Sequence, residues 1–345
     1  MTFPRRERLR VVLEGGSKEY RAVWFDTDRV KMIDQRVLPH RFEIVEFRRC
    51  ADVAAAIKNM IIRGAPSIGA AAAYGMALAS LEKMDLNKAA RKLKATRPTA
   101  NDLFYAVDYM LRSIGSGCDP IDAGEKYADD IVQRCSSIGE HGAALIGRED
   151  RVMTHCNAGA LASVDIGTAL APVRMAWYAG KSIFVYVSET RPRLQGMRLT
   201  AWELANEGIP HSIIADGASG HFMKHDVDII IVGADRIAGN GDFANKIGTY
   251  EKAVLAKELG IPFYAAAPVS TFDFSITSGQ QIPIENRDER EVTEIEGMRI
   301  APRQSKALNP AFDVTPGRYV KGFITEAGVL SPKDIHRIRG GTPDL

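Results

Sequence analysis

Two short stretches carry the residue types that do proton chemistry. "VMTHCNAGALASVDIGTAL", residues 152–170, sets Cys156 between a histidine and an asparagine, where an apolar run stops and a helix is expected to start. A thiol at a helix N-terminus feels the positive end of the dipole, which favours the thiolate. A charged His155 would act the same way, Asn157 can donate a hydrogen bond, and Gly159 and Ala160 leave room for a ligand against the backbone. Taken alone, Cys156 reads equally well as a small buried hydrophobe, a common fate of free cysteine. The second stretch is "IIIVGADRIAGNGDFANKIGTYE". It puts Asp235 at the end of a wholly apolar run, where desolvation raises a carboxyl pKa and suits it to hold a proton near neutrality. The competing roles are an N-cap or a partner for Arg236. Downstream, Gly239 and Gly241 shape a loop, and Asn245-Lys246 are expected to open a helix and bind an anion. The loop is neither a Walker A nor a GxGxxG sequence, so nucleotide binding is not indicated.

Two further segments suit the anionic part of a ligand. In "MIIRGAPSIGAAAAYG" Arg63 precedes Gly64, Ala65 and Pro66, a favoured first-turn residue. Arginine plus free helix-start N–H groups fit a phosphate. "TRPTAND" repeats the logic with Arg97. In both, the alternative is a helix entry whose arginine is merely solvated. "SETRPRLQGMRLTAWEL" adds Arg191, Arg193 and Arg198, one of them a candidate partner for Glu189, and Gln195, which can hold a sugar hydroxyl.

The elements that must position these groups follow from periodicity. Residues 9–37 alternate, with Gly15-Gly16 and Asp26-Thr27-Asp28 punctuating three short β-like runs, a small antiparallel sheet. From about 45 to 150 the texture is Ala-rich with apolar spacings of three and four, hence helical. After 150, short apolar runs recur at 152–155, 182–187, 211–215, 228–233 and 262–267, separated by amphipathic stretches. Continuous apolar strands alternating with helices mean a parallel sheet covered on both faces. The fold class is therefore α/β: a C-terminal Rossmann-like parallel-sheet domain (126–345) plus an N-terminal, mainly helical domain with a small antiparallel β entry (1–125). Ligands bind beyond the carboxyl ends of such strands. Those ends are Cys156-Asn157, Glu189 to Arg191, Asp216, Asp235-Arg236, and Pro268 with Ser270, and the two arginine segments would face them from the helical domain.

Composition narrows the classes. Lys plus Arg total 45 against 43 acids, so there is no basic excess for nucleic acid and no acidic tail. The N-terminus lacks the apolar run of a signal peptide, and the stretch from Pro66 is too short and weakly apolar to span a bilayer. A cytoplasmic protein with no membrane partner is expected. The four cysteines, at 50, 118, 135 and 156, form no CxxC pair, which argues against structural zinc, and are expected as free thiols. A Cys118–Cys135 bridge stays open.

At "RGAPSIGAAAAYG", "RPTA", "THCNAGALA", "ETRPRLQGMRLTAWEL", "GADRIAGNGDFANKIGTY" and "NPAFDVTPGRYVKGFITEAG" the chain resembles the 5-methylthioribose-1-phosphate isomerases of methionine salvage, within the wider superfamily of initiation factor 2B α, β and δ subunits. The resemblance runs from about residue 9 to 330. It implies conversion of an aldose 1-phosphate to the ketose 1-phosphate, with no metal and no organic cofactor, by a homodimer. The residues it implies are Cys156 and Asp235 for catalysis and Arg63, Gly64, Ala65, Arg97, Gln195, Asn245 and Lys246 for the sugar phosphate substrate. One segment departs: "IIADGASGHFMKHD" stands where many bacterial members carry a "TDNMAGHLM"-like stretch, which leaves the C5 substituent open. Related activities on the same scaffold are isomerisation of ribose 1,5-bisphosphate or 5-deoxyribose 1-phosphate. A non-catalytic regulatory subunit of the initiation-factor type is the remaining alternative.

Overall fold

The computed structural model describes residues 8–97 and 101–339. The chain opens with β1 (Leu9–Leu13) and β2 (Gly16–Tyr20), a hairpin, then β3 (Val23–Asp26), β4 (Arg29–Ile33) and β5 (Ile44–Phe47), a separate antiparallel sheet. The entry thus holds five strands in two sheets rather than three runs in one. Helices α1 (Cys50–Lys58), α2 (Ala65–Leu81), α3 (Leu86–Lys94), α4 (Asn101–Gly115) and α5 (Pro120–Ala143) follow. Pro98 to Ala100, expected to lead into α4, lie outside the described residues.

Helix α2 is apolar around its whole circumference and buried from Ser67 to Ala79, as a central helix must be. Its small residues let neighbours close in: a Cβ on Gly69 would lie 2.8 Å from the Tyr127 hydroxyl of α5. Helix α5 runs straight through the expected boundary at 125. Its Ala123 to Val132 belong to the core around α2, whereas Cys135 to Ala143 pack on the large sheet. The passage between the two cores is inside this helix, not in a linker.

The large sheet contains β6 (Arg151–Thr154), β7 (Phe184–Ser188), β8 (His211–Ile214), β9 (Ile229–Gly233), β12 (Phe263–Ala266), β17 (Gly322–Thr325) and β18 (Gly328–Leu330). Its order is β8-β7-β6-β9-β12-β17-β18, parallel except for the antiparallel edge strand β18. β17 was not among the expected strands. Side chains alternate between two cores. Val152, Val185, Ile229 and Ile231 face α5, α6 (Leu170–Tyr178) and α7 (Ala201–Glu207). Met153, Tyr186, Ile230 and Val232 face α8 (Ser219–His225) and α9 (Thr249–Leu259). Two buried faces explain why the strands read as unbroken apolar runs. From β6 the chain steps outward through β7 and β8, then returns to β9 on the other side of β6. The gap between β6 and β9 is the topological switch point, where the carboxyl-end crevice opens.

A second sheet, ordered β13-β10-β11-β16, sits beyond that crevice and was not foreseen. It comprises β10 (Arg236–Ala238), β11 (Phe243–Lys246), β13 (Phe272–Asp273) and β16 (Phe312–Thr315). Asn245 and Lys246 therefore end a strand, and α9 starts only at Thr249. A short turn of helix, α10 (Arg290–Thr293), and the hairpin of β14 (Glu294–Ile295) and β15 (Met298–Arg299) complete the elements. Among the described residues no helix is long and apolar enough to cross a membrane.

Candidate active site

No helix begins at Cys156. The chain leaves β6 through His155, Cys156 and Asn157, and α6 starts only at Leu170. Cys156 instead sits half-buried in a left-handed backbone conformation, φ 65°. This is an uncommon place for a residue with a Cβ, and surrounding contacts must hold it there. Its N–H donates to Thr190 Oγ1 at 2.8 Å, and its carbonyl accepts from Thr200 Oγ1 at 2.7 Å. Thr190 is itself fixed by Asp216, whose carboxylate accepts from the Ser188 hydroxyl and from the Thr190 and Arg191 amides. Burial pushes the Asp216 carboxyl up, but these donors outweigh it and hold the group below its ordinary value. Asp216, expected at a strand end of the site, thus serves the loop that carries the cysteine. His155 is buried, with Nε2–H donating to the Ile247 carbonyl at 2.8 Å. Burial and, next, Lys252 push its pKa far down, so the ring is neutral and gives Cys156 no charge. The cations that share the thiol's cavity are Arg63, Arg97, Lys246 and Arg287.

Asp235 follows β9, which is buried at every residue. Its N–H donates to the Ala244 carbonyl at 2.9 Å, tying it to β11. Burial raises the Asp235 carboxyl against the pull of Lys246, Arg97, Arg287 and Arg63, and burial prevails. Arg236 is drawn away toward Asp273, at 3.5 Å. The Cys156 and Asp235 loops touch at the switch point: a Cβ on Gly233 would lie 2.8 Å from the Ala158 methyl group.

The opposite wall is the N-terminus of α2. Arg63 is fully tethered. Its Nε donates to Gln35 Oε1 at 3.0 Å, one terminal nitrogen to the Asn157 carbonyl at 2.9 Å, and the other to the Asn157 side chain. Asn157 is held in turn by Thr200 and by the buried Glu203, which also accepts from the Ala160 and Leu161 amides. Arg97 lies against Glu285, at 3.5 Å. Lys246 is buried, donates to the Ala311 carbonyl at 3.0 Å and stands 4.2 Å from the Phe312 ring centroid. Burial, then the charge of Arg287, pushes it down to about 8. Asn245 donates to Thr249 Oγ1 at 3.0 Å. Gln195 caps a π-helical turn, Gly196–Thr200, and its buried Oε1 has no hydrogen-bond partner among the described residues. An acceptor left open on a cavity wall suits a ligand hydroxyl.

One cleft of about 750 Å³ is lined by Arg63, Gly64, Ala65, Arg97, Cys156, Gln195, Asp235, Asn245 and Lys246 together. All nine residues that the resemblance implies for the site line it. The arginines of the second strand end do not: Arg191 donates to backbone carbonyls, Arg193 pairs with Glu291 rather than Glu189, and Arg198 holds the Arg36 and Leu38 carbonyls. Pro268 lines the cleft, while Ser270 lines a smaller neighbouring cavity with Asp102. Sequence reasoning missed Arg287, Phe312, Met60 and Thr168 on the cleft wall. Arg287 stands in "IENRDEREV", which reads as solvated charge, and no local signal marks it. Cys118 is exposed and Cys135 buried, both as free thiols.

The sequence profile of the Initiation factor 2 subunit family matches residues 61–332. A methylthioribose-1-phosphate isomerase from Acaryochloris marina is 49% identical over 338 residues, covering 92% of this chain and 95% of its own. The crystal structure of 5-methylthioribose 1-phosphate isomerase from Pyrococcus horikoshii OT3 superposes with a TM-score of 0.87 at 43% identity, covering 94% of this chain and 96% of that one. A structure described as translation initiation factor eIF-2B, subunit delta, from A. fulgidus gives 0.83 at 42% identity, covering 92% and 100%. The chain belongs to the initiation factor 2 subunit family and, within it, groups with the methylthioribose-1-phosphate isomerases.

Proposed function

We propose that this protein isomerises 5-methylthioribose 1-phosphate to 5-methylthioribulose 1-phosphate, a step of methionine salvage, as a cytoplasmic homodimer. The observation that carries the reading is the meeting of Cys156 and Asp235, from either side of the switch point, in one cleft whose opposite wall is cationic.

The substrate's phosphate blocks its anomeric oxygen, so the ring cannot open by ordinary mutarotation. Asp235 protonates the ring oxygen as the bond from that oxygen to C1 breaks, and the proton stays on the new C4 hydroxyl. Hydrogen then passes from C2 to C1 while the C2 hydroxyl loses its proton to the Asp235 carboxylate, which returns to its starting state. Cys156, as thiolate, takes the C2 proton and returns it to C1. A hydride shift between the same carbons is the rival route. Asp235 must alternate between neutral and charged forms, and its setting supports both. Burial favours the acid, and Lys246, Arg97, Arg287 and Arg63 stabilise the carboxylate. Arg63, the Gly64–Ala65 start of α2, Arg97, Asn245 and Lys246 bind the phosphate end, and Gln195 holds a sugar hydroxyl. The reaction as written requires no metal or organic cofactor.

An adjoining lobe of about 510 Å³ shares Gly64, Ala65, Arg97, Asp235 and Phe312 with the cleft and is otherwise walled by Ile68, Ala244, Ile282, Pro283 and Arg236. Its four apolar side chains suit an apolar C5 substituent, and Arg236 at its edge is engaged by Asp273. A regulatory subunit of the initiation-factor type would need no thiol and acid over one cavity. The test is anaerobic incubation with the substrate, followed by phosphorus NMR, beside ribose 1,5-bisphosphate and 5-deoxyribose 1-phosphate. Ketose product from the methylthio sugar is expected at the highest rate. Absence of any ketose would move the reading to the binding subunit. Light scattering tests the dimer.

A further inference from the structure

Arg287 reaches the cleft from a segment outside both sheets, and the way it is held gives it a defined task. Residues 285–287 pair with 309–311: the Arg287 N–H donates to the Asn309 carbonyl at 2.9 Å and the Ala311 N–H to the Glu285 carbonyl at 2.8 Å. Phe312 comes next and stands opposite Lys246 in the β11–β16 ladder. Arg287 and Lys246 are thereby set against the same ring, 5.6 Å and 4.2 Å from its centroid. The Arg287 side chain is only 8% exposed. Glu285 touches Arg287 at 3.2 Å and Arg97 at 3.5 Å, so one carboxylate serves two guanidinium groups. Arg97, Arg287 and Lys246 then share a poorly solvated wall on which Glu285 is the carboxylate paired with both arginines. Burying like charges together is costly unless an anion compensates them. A dianionic phosphate matches the two arginines in geometry and in charge.

We propose that Arg287 is a direct ligand of the substrate's phosphate and that Glu285 is the counterion the phosphate displaces from Arg97 and Arg287. The inference rests on the cleft's being a sugar-phosphate site, not on which sugar is turned over. The full chain is titrated calorimetrically with inorganic phosphate at fixed ionic strength. Arg287→Gln weakens binding at least tenfold, and Arg287→Lys recovers part of the loss. Glu285→Gln binds phosphate at least as tightly as the parent, because the competing carboxylate is gone. Arg290→Gln, whose side chain is exposed and paired with Asp288, stays within twofold.

Should Arg287→Gln fold poorly, phenylglyoxal labelling of the unaltered protein decides. Phosphate slows modification of Arg287 and leaves Arg290 unaffected. Any of four results overturns the inference: no phosphate binding by the parent, Arg287→Gln within twofold of it, Glu285→Gln more than twofold weaker, or equal labelling of Arg287 with and without phosphate. Turnover of the parent on methylthioribose 1-phosphate is measured alongside. Normal turnover with a silent Arg287→Gln sinks this inference alone, whereas phosphate binding without turnover sinks the isomerase reading alone.

Discussion

Gly64→Ala tests whether the anion wall is built by close approach of backbone. Gly64 caps α2 with φ 88° and ψ 134°, a region that residues with a Cβ rarely adopt. A Cβ there would lie 2.5 Å from the Cα, Cβ and carbonyl oxygen of Ala162, mostly rigid atoms of the turn after Asn157. The backbone conformation costs about 1–3 kcal/mol, and relieving the overlap about 1–3 more. The start of α2 must retreat by roughly 1 Å to restore contact distance, carrying Arg63 and the Ala65 amide with it. A misplacement of that size costs about 100-fold in rate. Gly180→Ala is the control: φ is 79°, but nothing lies within 4 Å of the added methyl. Urea unfolding and kcat/KM are measured for both. The control should lose about 1–2 kcal/mol with normal activity, and Gly64→Ala about 2–6 kcal/mol together with the rate loss. Gly64→Ala with stability and kcat/KM like those of the control would refute the close-approach argument.

Cys156→Ser and Asp235→Asn should each lower kcat by about two to four orders of magnitude while phosphate still binds calorimetrically; a near-normal rate in either removes that residue from the chemistry. Because the Asp235 carboxyl is raised, kcat should fall as pH climbs through its folded-state value, and this alkaline limb should vanish from the residual rate of Asp235→Asn. The same shift makes this group's contribution to stability largest at low pH and lost between its ordinary and its raised value. Lys246, pushed down to about 8, should lose its charge above that pH, so KM rises on the alkaline side. Its linkage to stability has the opposite sign: the unfolded chain holds more protons between about 8 and the ordinary lysine value, so this group's contribution rises with pH there. Asp216→Asn should free the Thr190 loop and lower kcat through Cys156, while phosphate affinity, set on the other wall, stays within about twofold.

How much of this was legible follows from range. Unbroken apolar runs such as "IIIVG" announce strands buried on both faces, because a parallel sheet covered by helices on each side buries successive residues alike. Their carboxyl ends located Cys156 and Asp235, since the crevice of such a sheet is a property of its topology. Helix α2 was legible from its small apolar residues, and with it Arg63, Gly64 and Ala65. Local pattern misled where local and tertiary partners compete. The small residues after Cys156 read as a helix start, yet the backbone there is bent by Thr190, Thr200 and the Glu203–Asn157 network, all from other elements. Asn245 and Lys246 read as a helix opening, yet the partner that makes them a strand is β16, some 65 residues further along.

By itself, then, the sequence determined the α/β class, the sheet that sets up the crevice, and which residues end its strands, because hydrophobic periodicity and strand-end chemistry are written locally. Only the tertiary structure decided that the thiol rests in a left-handed turn, that His155 is neutral, that Asp216 supports the cysteine loop, and that Arg287 joins the anion wall. Each of these depends on burial and on charges brought together from distant segments, and neither quantity exists until the chain has closed on itself.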